Sequence, residues 1–265
     1  MLTPILIDNR ISAFLGMPPG DGKKPVVIHL HERYGIVQHT TDLAQKFVEA
    51  GYVTIVPDLF SRFTGDREAL ANGDGRCELS DEEVLMDIDA IVAFLRALAE
   101  VDASRIAMSG VCQTGRQPVL VAAKRDYLSA AVVLYGAVYP DDWKSHPLRP
   151  EPIDKILEQI SCPVVGIFGE LDNLVPRDNV LRMFSVLAQA KKSFDIRIFP
   201  EAPHGFLNDT MAGRFRPVQT EAAWLQIKSF LNSVFRGEWN RDRARWRFDA
   251  DSSVNYDFTR MKRWA

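Results

Sequence analysis

Short apolar runs alternate along the chain with longer segments whose apolar residues recur every three or four positions. The runs "PVVIHLH" (25–31), "VTIVP" (53–57), "RIAMS" (105–109), "AAVVLY" (130–135), "PVVGIF" (163–168) and "FDIRIF" (194–199) predict strands. Most are nearly continuous in β-branched and aliphatic residues, the pattern of strands covered on both faces. Helical spacing over 39–50, 81–101, 113–125, 151–160, 177–191 and 217–235 fills the intervals. Ser80, followed by Asp81, Glu82 and Glu83, marks one of these starts with a capping residue and acids in the first turn. At the N-terminus, "ILIDNRISAFLGMP" predicts a small antiparallel hairpin turning at Asp8-Asn9. The order of elements predicts an α/β fold, a mostly parallel central sheet with helices on both faces.

Two segments stand apart from this alternation. Residues 60–80, "FSRFTGDREALANGDGRCELS", are polar and glycine-containing and predict a loop over the carboxyl ends of the strands, the edge where open α/β sheets bind ligands. The chain then divides into a domain over 1–235 and an extension over 236–265 rich in arginine and tryptophan. Trp239, Trp246 and Trp264 are costly to leave in water, so the extension is expected to pack on the domain or on a second subunit as a homodimer contact.

Composition narrows the function. The 265 residues are 46% hydrophobic and 25% charged with a formal net charge of -3, which fits a soluble globular chain and argues against nucleic acid or an anionic membrane as main partner. No basic, apolar leader opens the chain, and "IVAFLRALA" is too short to span a bilayer. Cys77, Cys112 and Cys162 form no CxxC pair, which favours reduced thiols and a cytoplasmic location.

Chemistry concentrates in a few places. Cys112, in "SGVCQTGRQ", lies between a predicted strand and a predicted helix. A sharp turn there exposes a nucleophile at the top of a sheet and aims the helix N-terminus at it; a packed core thiol is the alternative. Gly110 stands two residues before Cys112, but Thr114 stands two after, where such elbows favour a small residue. A nucleophile needs a base and the base an orienting acid. Asp172 in "IFGELDNLVP" and His204 in "IFPEAPHGFLND" follow the fifth and sixth predicted strands, in the order nucleophile, acid, histidine. The backbone N–H groups of Arg33, in the loop after the first run, and of Gln113 are candidate oxyanion donors. Glu32 either contacts the thiol or substrate as a buried carboxylate, or is a loop acid paired with Arg33.

Taken together, "HERYG", "VPDLFSR", "SGVCQTG", "GELDNLVP" and "PHGF" over about 20–235 resemble the dienelactone hydrolase family of α/β-hydrolases, whose nucleophile is cysteine where most of that fold use serine. The resemblance implies an α/β-hydrolase fold, a Cys112–His204–Asp172 triad, Glu32 hydrogen-bonded to the resting thiol, and hydrolysis of small esters or enol-lactones through a thioester, with no cofactor and no metal. It also implies an anionic small-molecule substrate. The chain departs from the family at Thr114 and in "HGFLND", which lacks the arginine that follows the catalytic histidine in the best-known members. Arg62, Arg67, Arg76 or Arg116 are candidates to replace it as an anion clamp. Tyr34 and Phe206, inside the matching motifs, are further substrate-binding candidates.

Two other readings compete. "HLH" places His29 and His31 where a metal-dependent hydrolase holds its first ligands. A non-catalytic α/β-hydrolase scaffold, kept as a binding module, would tolerate the altered elbow.

Overall fold

The computed structural model describes residues 2–248. Its centre is a nine-stranded sheet in the order β1-β2-β4-β3-β5-β6-β7-β8-β9. The hairpin strands β1 (Leu2–Ile7) and β2 (Ile11–Gly16) are antiparallel, and β2 joins β4 (Val53–Pro57) antiparallel; every later pairing is parallel. Asp8 and Asn9 turn the hairpin with φ of 50° and 52°, a conformation short polar side chains tolerate. The remaining strands are β3 (Lys24–His29), β5 (Val101–Val111), β6 (Leu128–Leu134), β7 (Val164–Gly169), β8 (Phe194–Phe199) and β9 (Ala244–Phe248).

Strand side chains alternate between two cores. Val26, Ile28, Ile106, Met108, Ala131 and Val133 meet α3 (Asp81–Arg96), α4 (Arg116–Lys124), α5 (Ile153–Gln159) and α6 (Arg177–Gln189) on one face. Val27, Ala107, Val132, Val165 and Ile167 meet α1 (Gln38–Glu49) and α7 (Pro217–Phe235) on the other. Parallel strands sandwiched this way bury both faces, which is why their sequences read as continuous apolar runs. Among the described residues, no helix is long and apolar enough to cross a membrane.

Three expectations need correction. The helix expected over 81–101 stops at Arg96, because Val101 is drawn into β5 by pairing with Lys24 of β3. β5 therefore spans eleven residues, longer than its apolar run. Residues 60–80 are not all loop: α2 (Arg67–Asn72) is capped by Asp66, whose side chain accepts from the backbone of Glu68 and Ala69, and ends at Gly73 with φ of 86°.

Beyond α7, Trp239 is buried edge-on against Phe230 at 4.8 Å and donates its Nε1–H to Ser193 Oγ at 2.8 Å. β9 then adds to the sheet beside β8, and Trp246 lies 5.7 Å from Phe184. Trp264 falls outside the described residues.

Candidate active site

β5 ends at Val111, and Cys112 begins a 3₁₀ turn, Cys112–Gly115, that leads into α4. Cys112 has φ of 53°, a left-handed conformation that non-glycine residues adopt mainly under tertiary constraint. A Cβ on Gly110 would strike the carbonyl oxygen of Thr114, and one on Gly115 would lie 2.6 Å from Gly136 Cα. The close approach behind Cys112 is thus relieved at Gly110, Gly115 and Gly136. Thr114 escapes the crowding because its side chain turns inward. Its Oγ1 donates to the carbonyl of His31 at 2.8 Å and accepts from the Val111 N–H at 3.0 Å. That hydroxyl ties the elbow to the loop after β3, which carries Glu32 and Arg33.

The loops after β7 and β8 are stitched together, Glu170 N–H to Phe199 O and Leu171 N–H to Ala202 O, each at 2.9 Å. This sets Asp172 beside His204. His204 Nδ1 lies 2.8 Å from Asp172 Oδ2, and Nε2 lies 3.2 Å from Cys112 Sγ. Asp172 Oδ1 accepts from the backbone of Leu174 and Val175 at 2.8 and 2.9 Å, so its orientation is fixed. Burial alone disfavours a charged His204. The hydrogen bonds to Asp172 and Cys112 outweigh it and hold the ring's pKa at about 10. The ring is thus placed to hold a proton between the carboxylate and the sulfur.

Glu32 is buried behind this line, but the contact the structure gives it is with Asn208 Nδ2, at 3.3 Å from Oε2. The thiol is turned to His204 instead, which corrects the expected Glu32–thiol bond. Burial pushes Glu32 up to about 7, against the opposing pull of His204, Arg214 and Asn208. Tyr135, at the end of β6, packs edge-on against His204 at 5.3 Å, is fully buried with φ of 37°, and its hydroxyl has no hydrogen-bond partner among the described residues.

Arg33 and Gln113, the residues offered as oxyanion donors through their N–H groups, use their side chains for something else. Arg33 donates to the carbonyl of Gly73 at 2.6 Å, and Gln113 Nε2 donates to the carbonyl of Cys77 at 2.7 Å. Both side chains thus pin the 73–77 segment.

The proposed anion clamps are not drawn to Cys112. Arg62 forks onto Asp87 at 2.6 and 2.7 Å, Arg67 pairs with Asp58 at 2.9 Å, and exposed Arg76 pairs with Glu78. Arg116, although four residues past Cys112, is buried and bonded to both oxygens of Asp81 and to the carbonyl of Glu151. In each case a carboxylate has claimed the guanidinium, two residues away for Arg76 and 35 away for Arg116. Tyr34 instead packs against Gly73 and beneath Arg33. Phe206 is fully buried between Tyr135 and Phe199, so it supports the site from behind and cannot touch a substrate.

The residue that sequence reasoning passed over is Arg214. The turn after His204 folds back, Arg214 N–H donating to Met211 O, and the guanidinium Nη1 sits 3.7 Å from where a Cβ on Gly205 would be. Tyr139, whose hydroxyl lies 3.4 Å from Cys112 Sγ, was also missed. Neither carries a motif; chain reversal alone brings them in.

The histidine pair does not form a metal centre. His31 Nδ1 is 2.7 Å from Glu32 O, and its Nε2 accepts from Leu59 N–H at 3.1 Å, so both ring nitrogens are used. His29 is fully buried against Phe47, and its pKa falls to about 3 through burial. Among the described residues, no group of three or more His, Cys, Asp or Glu side chains is arranged to hold a metal ion.

The profile of the dienelactone hydrolase family matches residues 11–235. A provisionally named carboxymethylenebutenolidase of Escherichia coli O157:H7 is 31% identical over 225 residues, covering 83% of this chain and 81% of the relative. One so named in Methylorubrum extorquens is 29% identical over 230 residues, 84% of this chain and 77% of its own length. The crystal structure of a provisionally named dienelactone hydrolase from Klebsiella pneumoniae aligns with a TM-score of 0.78 at 26% identity, over 88% of this chain and 98% of that one. The chain therefore belongs to the dienelactone hydrolase family and is a hydrolase of the α/β-hydrolase fold.

Proposed function

We propose that the protein hydrolyses small esters or enol-lactones of carboxylic acids by two-step acyl transfer on Cys112. The observation that carries this reading is the line Cys112 Sγ–His204 Nε2–His204 Nδ1–Asp172 Oδ2, with steps of 3.2 and 2.8 Å, built on an elbow residue at φ of 53°. The thiolate attacks the acyl carbon; an S–C bond forms and the carbonyl electron pair moves onto oxygen, which the Arg33 and Gln113 N–H groups hold. Collapse breaks the acyl–oxygen bond, and the Nε2 proton passes to the departing enolate or alkoxide oxygen. Water, giving a proton to the now neutral His204, adds to the thioester and releases the thiolate. Thiolate is a good match for a stabilised leaving group such as an enolate.

Arg214 is the arginine whose charge acts on Glu32 and Tyr135 at the site, so it is our candidate for a substrate carboxylate, whereas Arg62, Arg76 and Arg116 pair with Asp87, Glu78 and Asp81. Electrospray mass spectrometry after mixing with p-nitrophenyl acetate is expected to find one acetyl group on Cys112, and Cys112→Ala is expected to abolish turnover. Full activity of Cys112→Ala, or a Cys112 no more reactive toward iodoacetamide than Cys77, would defeat the reading and favour a non-catalytic scaffold. Arg214→Gln is expected to raise KM roughly tenfold for a lactone bearing a carboxylate, the size of one lost charge-assisted contact, while a neutral ester is unaffected.

A further inference from the structure

Cys112 has a second donor besides His204. Tyr139 follows β6, and its Oη lies 3.4 Å from Cys112 Sγ. Its ring stands 6.2 Å from that of His204. The backbone on both sides is held. Tyr139 N–H donates to Asp142 Oδ2 at 3.0 Å, and the preceding carbonyl, of Val138, accepts from Asn179 Nδ2 at 2.9 Å. Asp142 is itself fixed between Arg116 and Arg149, at 3.8 and 3.4 Å. The phenol is therefore delivered to the sulfur by a buried ionic anchor, not by a mobile loop. Burial, then the negative charge of Cys112, keep its proton firmly on oxygen, so the group donates a hydrogen bond without acting as an acid.

We propose that Tyr139 is a catalytic residue of this site, its hydroxyl donating to the Cys112 thiolate so that the resting nucleophile sits between two donors. This rests on the reading of Cys112 as nucleophile. The ionisable groups that act on the sulfur directly are His204, Tyr135 and Tyr139, with Asp172 behind His204 and Glu32 and Arg214 further back in the same pocket. Two of them, Asp172 and Glu32, are carboxylates whose ionised forms oppose a neighbouring thiolate. A neutral donor stabilises that anion without adding a charge. On attack, charge leaves sulfur for the acyl oxygen and the Tyr139 bond weakens; when the thioester is hydrolysed, charge returns to sulfur and the bond re-forms. Tyr139 keeps its proton throughout and eases thiolate departure in the second step.

Tyr139→Phe keeps the ring and deletes the oxygen. It is expected to shift the pH–rate profile of Cys112 alkylation by iodoacetamide about one unit to the alkaline side, the effect of removing one hydrogen bond to an ion. It should also let acyl-enzyme accumulate, lowering kcat about tenfold for p-nitrophenyl acetate. Tyr139→Leu, which lacks the ring, should shift the profile by the same amount if the hydroxyl is the operative group. An unchanged profile in the Phe variant, with wild-type Cys112 still labelled ahead of Cys77 and Cys162, overturns the role of Tyr139 and leaves the triad standing. Failure of wild-type Cys112 to react selectively overturns both.

Discussion

Two clusters of buried charge lie on either side of the 3₁₀ turn, and they are built on opposite principles. At Arg116, a guanidinium faces Asp81 at 2.9 Å and Asp142 at 3.8 Å, with Arg149 closing the set. Two cations face two carboxylates there, and burial still pushes Asp142 up to about 6 against the pull of Arg116 and Arg149. At Cys112, one imidazole serves a thiol, Asp172 and the neighbourhood of Glu32. Burial pushes Glu32 up to about 7 there, while the bonds to Asp172 and Cys112 raise His204 to about 10. Proximity to Cys112 in sequence made Arg116 a candidate anion clamp. Its burial and its bonds to Asp81 and the Glu151 carbonyl set it beneath Asp142, whose carboxylate accepts from the Tyr139 N–H.

The comparison breaks if the two clusters respond alike to mutation. Asp172→Asn leaves the packing intact but removes the charge that orients and protonates His204, and is expected to lower kcat for p-nitrophenyl acetate about a thousandfold or more, with the melting temperature nearly unchanged. Steady-state kinetics beside a thermal melt decide it; a large loss of stability with preserved kcat would reverse the assignment of roles. Arg116→Met should do the opposite. Stranding Asp81 in the interior, with Asp142 still held by Arg149 and the Tyr139 N–H, should destabilise by about 3–5 kcal/mol in urea unfolding, while the folded fraction keeps kcat within a few-fold of wild type.

Thr114→Val sharpens the boundary, because Thr114 belongs to the scaffold yet touches the elbow. Losing its hydroxyl strands the Val111 N–H and is expected to cost about 1–3 kcal/mol of stability, with a several-fold fall in kcat that Thr114→Ser restores. A Val variant with wild-type stability would show that water or backbone shift can replace the bridge.

The smallest effect is a slope. Glu32 titrates at about 7 in the folded protein, raised from 4.5, so the folded state binds the extra proton between those values. Its contribution to stability is therefore greatest at acid pH and declines as pH rises through that window. His204, raised from 6.5 to about 10, adds a decline of the same sign further toward alkaline pH. Glu32→Gln cannot ionise. It should match wild type near the acid end, below about 5, and melt higher than wild type at about pH 8. Parallel melting curves across that range would mean that Glu32 does not change its protonation there.

Much of this was legible before the structure. The alternation of apolar runs and helical spacing determined the α/β architecture, since a strand covered on both faces has no polar residues to show and a helix cannot hide its 3.6-residue period. Asp172 and His204 were readable because each follows directly on an apolar strand, and the strand's end fixes where the next few residues lie. What only the tertiary structure decided are the pairings made over long stretches of chain. Arg116 found Asp81 and Arg62 found Asp87, 35 and 25 residues away. Glu32 turned to Asn208, 176 residues on, and Tyr139 reached Cys112 over a separation of 27. A charged or hydroxyl side chain has several partners within reach of its type, and local sequence does not rank them. Packing does, by bringing one partner into the same dry space and excluding the water that would otherwise satisfy the rest.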